Sequence, residues 1–167
     1  MTKPANPLAV EVLRGPLVES RHRVAAAVAD ANGPRAAWGD ADAAVFPRSA
    51  VKPLQVLALI ESGAAEACGA SEAEIALACS SHSGEPRHLA ALSAWLERLG
   101  LSAADLECGA HAPLGGAAPA ELTPLHNNCS GKHTAMLATA RHLGEPLAGY
   151  VAADHPVQRR VRGLLGE

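Results

Sequence analysis

The chain has 167 residues, 49% of them hydrophobic, and a formal net charge of −3. That length suits one domain or part of a larger one and can bury a real core. The charge balance excludes the strongly basic character of a nucleic-acid binder, and no apolar run approaches the roughly 20 residues that cross a bilayer.

The opening residues lack the apolar centre of a signal peptide, which points to a cytoplasmic location. Cys68, Cys79, Cys108 and Cys129 form no C-x-x-C pattern and are expected as thiols. Aromatics make up only 2% of the chain, so small aliphatic side chains are expected to fill the core.

Residues 8–15, LAVEVLRG, alternate apolar and polar and reach Gly15-Pro16; LVESRHRVAAAVAD then runs to Asn32-Gly33. This predicts two strands around a Gly-Pro turn, with a third through Ala36 to Trp38. From Ser49 the pattern becomes helical, with Leu54, Leu57, Ala58 and Glu61 on a 3.6 period and Gly63 as the stop. Proline is tolerated only in the first turn of a helix, so Pro53 places the start near Ser49 or Ala50.

Ser71 and Glu74 have capping-box spacing. Ser83-Gly84-Glu85-Pro86 reads as the start of a helix capped by Ser83 and ending at Gly100. A short helix follows at SAADL, then a Gly-, Ala- and Pro-rich loop over residues 109–124. GKHTAMLATARHLG and HPVQRRVRGLLGE supply two more helices. There is no repeat. The expected class is mixed α/β, with N-terminal antiparallel strands packed on helices. The chain stops at Glu167 inside an amphipathic pattern, which is expected of a fragment lacking a second half.

Three clusters carry chemically useful side chains. The first is Ser49-Ala50-Val51-Lys52-Pro53. Three lysines stand against eleven arginines, and lysine alone of the two can lose its proton inside a protein. Three positions apart on a helix, Ser49 and Lys52 can meet. A neutral lysine could then activate the serine, with Arg48 helping to lower its pKa. The plainer alternative is a capping serine followed by a solvated lysine.

The second cluster, ACSSHSGEP, gathers Ser80, Ser81 and His82 at the end of an apolar run, before NH groups that could bind an oxyanion. The third, HNNCSGKHT, joins turn residues to Cys129, Lys132 and His133. Cys129 and His133 are ordinary zinc-ligand types, but two such residues do not make a metal site. A tight loop before a helix, with a buried thiol, accounts for the same residues.

Taken in order, EVLRGPLVESRHR, PRSAVKPLQ, SSHSGEP, LECGAH and NNCSGKH resemble the thermolabile type of L-asparaginase, the asparaginase II family, over nearly the whole chain. The resemblance implies hydrolysis of L-asparagine to L-aspartate and ammonia, in a fold like that of serine β-lactamases and penicillin-binding proteins. It implies Ser–Lys tandems: Ser49 and Lys52 match the first, and Ser81 matches the serine of the second. Cys129 and Lys132 match two of three ligands of a zinc ion, and Arg48 and His133 match residues around the substrate pocket. The second tandem's lysine and the third ligand, a cysteine, have no counterpart here. Partners implied are the small-molecule substrate and a second copy in a homodimer, with no nucleic acid, membrane or organic cofactor. The rival readings are a β-lactam-directed Ser–Lys hydrolase, whose S-D-N and K-T-G elements do not occur here, and a non-catalytic fragment of the fold.

Overall fold

The computed structural model describes residues 5–113 and 119–166. The chain divides into two compact units, Met1–Phe46 and Pro47–Glu167. The expected 109–124 loop falls partly outside the described residues. Architecture is mixed α/β: two small antiparallel sheets, then six helices, among the described residues.

In the first unit β1 (Leu8–Arg14) pairs with β2 (Leu17–Arg23), and β3 (Ala26–Asp30) with β4 (Gly33–Trp38). Gly15 makes the expected turn with a φ of +58°, a left-handed value that a side chain would oppose. Glu11 and Arg21 stand opposite one another and form an ion pair at 2.8 Å. The sequence predicts one strand from Leu17 to Asp30, but the structure breaks it after Arg23. There the Val24 N–H donates to the Pro7 carbonyl at 3.1 Å and closes the first hairpin. The second hairpin turns at Asp30, whose carboxylate accepts from Asn32 N at 2.8 Å, so its last strand begins at Gly33 rather than Ala36.

The second unit is helical: α1 (Lys52–Glu61), α2 (Ala64–Ala67), α3 (Glu72–Cys79), α4 (Pro86–Arg98), α5 (Ser130–His142) and α6 (Pro156–Leu164). All five other helices pack on α5, and all of its residues from His133 to Ala140 are buried. A helix buried all round needs small residues where neighbours approach. Gly131 is such a place: a Cβ there would stand 2.6 Å from the Leu77 carbonyl oxygen of α3.

One cluster of the core joins Val56, Leu59, Ala78, Leu92, Trp95 and Ala138, and a second joins Leu96, Met136, Leu137, Tyr150 and Val157. The core is therefore not purely aliphatic, since Trp95 and Tyr150 are its largest fully buried side chains.

Two local expectations change. The buried face of α1 is Lys52, Val56, Ala58 and Leu59, while Leu54 and Leu57 are exposed. Lys52, Val56 and Leu59 follow i, i+4, i+7 spacing, so a lysine takes the first place of an apolar stripe. At α4 the cap is Glu85, paired reciprocally with His88, and the Ser83 hydroxyl donates to the Glu85 carboxylate at 2.8 Å instead of capping. The capping box at α3 stands as expected, with Ser71 N donating to Glu74 Oε2 at 2.8 Å and Ser71 Oγ accepting from Glu74 N at 3.3 Å.

Candidate functional site

Arg48 and Ser49 belong to a single 3-10 turn, Arg48–Val51, directly before α1. Both are exposed. Arg48 has a φ of +50°, among the described residues the one non-glycine with a left-handed backbone, so the turn that delivers these side chains carries strain. Its guanidinium has no ion pair among the described residues, and the Ser49 hydroxyl makes no hydrogen bond there.

Lys52 is 2% exposed. Its Nζ donates to the Ser80 carbonyl at 2.8 Å, to Ser81 Oγ at 2.8 Å and to the Asn128 carbonyl at 3.3 Å. A buried ammonium needs such partners, and three acceptors match its three hydrogens. Ser81 itself is exposed, so a hydroxyl open to solvent rests against an amine that is not. The structure thus brings together Lys52 and Ser81, and it does not join Ser49 to Lys52 by a hydrogen bond.

Cys129 holds the position just before α5 without a side-chain capping bond, and Lys132 and His133 follow in the first turn. Burial lowers the Lys132 pKa; nearby Cys129 opposes this, and the positive charge of Lys52 adds to it. His133 is lowered to about 4 by burial, with Lys132 and Lys52 contributing. His133 is 8% exposed, and its Nδ1 lies 2.8 Å from the Tyr150 hydroxyl, which also accepts from Glu107 N at 2.7 Å. With the hydroxyl's own hydrogen directed at Nδ1, both groups are satisfied and the imidazole proton is on Nε2.

Residues missed from sequence complete the surroundings. Cys108, its thiol pushed up to about 11 by burial, lies within electrostatic reach of Cys129 and Lys132. The Asn127 amide holds these segments together. Its Nδ2 donates to the Cys108 carbonyl at 2.8 Å and the Gly109 carbonyl at 3.1 Å, while its Oδ1 accepts from Cys129 N at 2.9 Å. His82 is 4% exposed and bonded to Ser130. Nothing in local spacing marks Asn127 or Tyr150. His82 was visible only as part of an unexplained polar concentration.

Among the described residues no group of three or more His, Cys, Asp or Glu is placed to hold a metal ion, and no helix is long and apolar enough to cross a membrane. The arrangement offers an accessible hydroxyl backed by a buried amine, a second hydroxyl nearby in sequence to that amine, and an unpaired guanidinium on the same turn. Compared with known proteins, residues 10–167 match the family model described as L-asparaginase II. No curated protein matches the chain.

Proposed function

Because the chain belongs to the L-asparaginase II family, we propose that it hydrolyses the side-chain amide of L-asparagine by serine–lysine chemistry centred on Lys52. The observation that carries this reading is the buried Lys52 amine 2.8 Å from the exposed Ser81 hydroxyl.

The same geometry serves both protonation states. As an ammonium, Lys52 donates to all three acceptors. As a neutral amine it keeps two hydrogens and one lone pair. The Ser80 and Asn128 carbonyls can only accept, so they retain the hydrogens and the lone pair falls to the Ser81 hydroxyl. That is the arrangement of a general base on a nucleophile.

In this reading Ser81 Oγ attacks the amide carbon as Lys52 takes its proton. Lys52 returns the proton to the departing ammonia, leaving an aspartyl ester on Ser81. Water, deprotonated by Lys52, then attacks the ester carbon, and Lys52 returns that proton to Ser81 Oγ as L-aspartate leaves. Arg48, without a partner of its own, offers two parallel N–H donors to the substrate's carboxylate. Ser49, the nucleophile expected from sequence, stands beside Arg48 as a second hydroxyl.

Cys129 and Lys132 are the residues that would hold the zinc implied by the resemblance. They fit it in chemistry: a cysteine sulfur, and an amine whose pKa is lowered by burial toward the neutral form a ligand requires. When bound, the metal would polarise the substrate's carbonyl as a Lewis acid.

Ammonia release from L-asparagine, with L-glutamine and nitrocefin as comparison substrates, tests the proposal. Asparagine turnover is expected of a protein that also carries the second tandem's lysine, and there Lys52→Met should lower kcat/KM by about 10³-fold or more. No turnover of asparagine, or wild-type turnover by Lys52→Met, would overturn it.

A further inference from the structure

We propose that His82, in its neutral form, is a positioning residue that stitches together the two segments on which Lys52 rests, through its hydrogen bond to Ser130. The inference rests on the reading of Lys52 and Ser81 as the reacting pair. It starts from where the acceptors of Lys52 come from. Two of them, the Ser80 carbonyl and the Ser81 hydroxyl, lie on the segment after α3; the third, the Asn128 carbonyl, lies on the segment leading into α5. His82 is the next residue after Ser81, and Ser130 follows Asn128 by two. The 2.8 Å bond between His82 Nε2 and Ser130 Oγ therefore ties one segment to the other beside the amine.

The direction of every hydrogen in this link is fixed. The Gly84 N–H can only donate, so His82 Nδ1 accepts from it at 3.2 Å. The Leu125 carbonyl can only accept, so Ser130 Oγ donates to it at 2.9 Å. The Ser130 oxygen then accepts from His82 Nε2–H. One neutral tautomer satisfies all three bonds, and a proton on Nδ1 would face the Gly84 N–H. Burial, then the positive charges of His88 and Lys52, lower the His82 pKa to about 4, with the Asn127 backbone acting the other way. Both partners are out of water, at 4% and 0% exposure, so the bond is not exchanged for solvent.

The test separates the link from the bulk of the ring. His82→Gln places an amide NH₂ near Nε2 and keeps the donor to Ser130. His82→Asn places its carbonyl near Nδ1 and loses that donor. Ser130→Ala removes the acceptor, together with the Ser130 bond to the Leu125 carbonyl, and covers the case in which His82→Asn does not fold; circular dichroism and urea unfolding check each variant. The first readout is the rate at which acetic anhydride modifies Lys52, followed by peptide mass spectrometry against an added lysine peptide. It needs no turnover. His82→Asn and Ser130→Ala are expected to raise that rate at least about tenfold, with His82→Gln within about threefold of wild type. The second readout is asparagine turnover, where the first two variants should lose kcat with little change in KM. Wild-type Lys52 modification rates in folded His82→Asn or Ser130→Ala would overturn the positioning role. Equal acceleration in all three variants would overturn it too, because the donor to Ser130 would not be the operative feature. A wild-type protein that shows the expected modification pattern but releases no ammonia supports the positioning role and overturns only the asparaginase reading.

Discussion

Lys52 Nζ sits 2.8 Å from Ser81 Oγ, on a serine 29 positions away in the chain, whereas Ser49 makes no hydrogen bond to it. Spacing along a helix puts Ser49 within reach of Lys52; the folded chain hydrogen-bonds Lys52 to Ser81. Ser81→Ala is therefore expected to cost about 10³-fold or more in kcat/KM, and Ser49→Ala about tenfold. Because base and nucleophile act as a unit, Ser81→Ala with Lys52→Met should be little worse than either alone. Steady-state ammonia release decides the order, and the reverse order would return the attacking role to Ser49.

Gly131→Ala should destabilise the protein, against the usual gain of roughly 0.5–1 kcal/mol for glycine to alanine within a helix. The new Cβ would lie 2.6 Å from the Leu77 carbonyl oxygen and 3.0 Å from Ala78 N, both backbone atoms with little freedom to retreat. A loss of about 1–3 kcal/mol is expected from such overpacking, read from urea unfolding. Activity should fall as well, since α5 carries Cys129 and Lys132 at the end that would be displaced.

Glu74 is 5% exposed, caps α3 together with Ser71, and takes Arg98 Nη2 at 2.8 and 2.7 Å on its two oxygens. Burial alone would raise its pKa, but Arg98 and Ser71 outweigh it and the net direction is down. Glu74→Ala should cost about 2–3 kcal/mol, more than the ~1 kcal/mol of Ser71→Ala, because it removes the cap and the Arg98 partner together. Equal losses by chemical denaturation would show that the Arg98 pair adds nothing.

The neutral His82 predicts a pH dependence of stability. Its pKa is about 4 when folded and near 6.5 when unfolded, so the unfolded chain binds more protons between these values. The contribution is fully present above pH of about 6.5, lost as pH falls toward 4, and constant below that. The slope in this window is at most about 1.4 kcal/mol per pH unit. Subtracting the stability profile of His82→Gln from that of wild type isolates it. A flat difference between pH 4.5 and 6.5 would count against a buried neutral ring.

Zinc is expected to bind through Cys129 and Lys132 and to exchange readily, since two donors fall short of the three or four protein ligands usual for this ion. Equilibrium dialysis should show binding that Cys129→Ser weakens and EDTA reverses within minutes. Tight retention of one zinc per chain would require another donor, and Cys108→Ser would then identify whether its thiol supplies it.

The helices were readable because their signals are local. Ser71 and Glu74 fix α3 within one turn, and the apolar period of PRHLAALSAWLER fixes α4. The faces were less readable. Leu54 and Leu57 look like the core side of α1, but a buried lysine with three backbone or hydroxyl acceptors turns the helix so that Val56 and Leu59 point inward. The cap of α4 was misread because Ser83 bonds to the Glu85 carboxylate that does the capping. At the site, SSHSG and NNCSGKH were recognised as clusters, yet which atoms meet depends on bonds such as His82–Ser130, which spans 48 positions and leaves no trace in spacing. Asn127 looked like an ordinary turn residue for the same reason, and nothing nearby in sequence pointed to Tyr150.

The Asn127 clamp depends on the amide being an amide. Its NH₂ faces two carbonyl oxygens, those of Cys108 and Gly109, at 2.8 and 3.1 Å. Slow deamidation to aspartate would replace the donor with a charged acceptor in front of groups that can only accept. An attraction would become a repulsion without any change in side-chain size, and the Cys108 segment would come loose from the start of α5. One damaged amide would thus undo the clamp while leaving the hydrogen bonds of the helices intact.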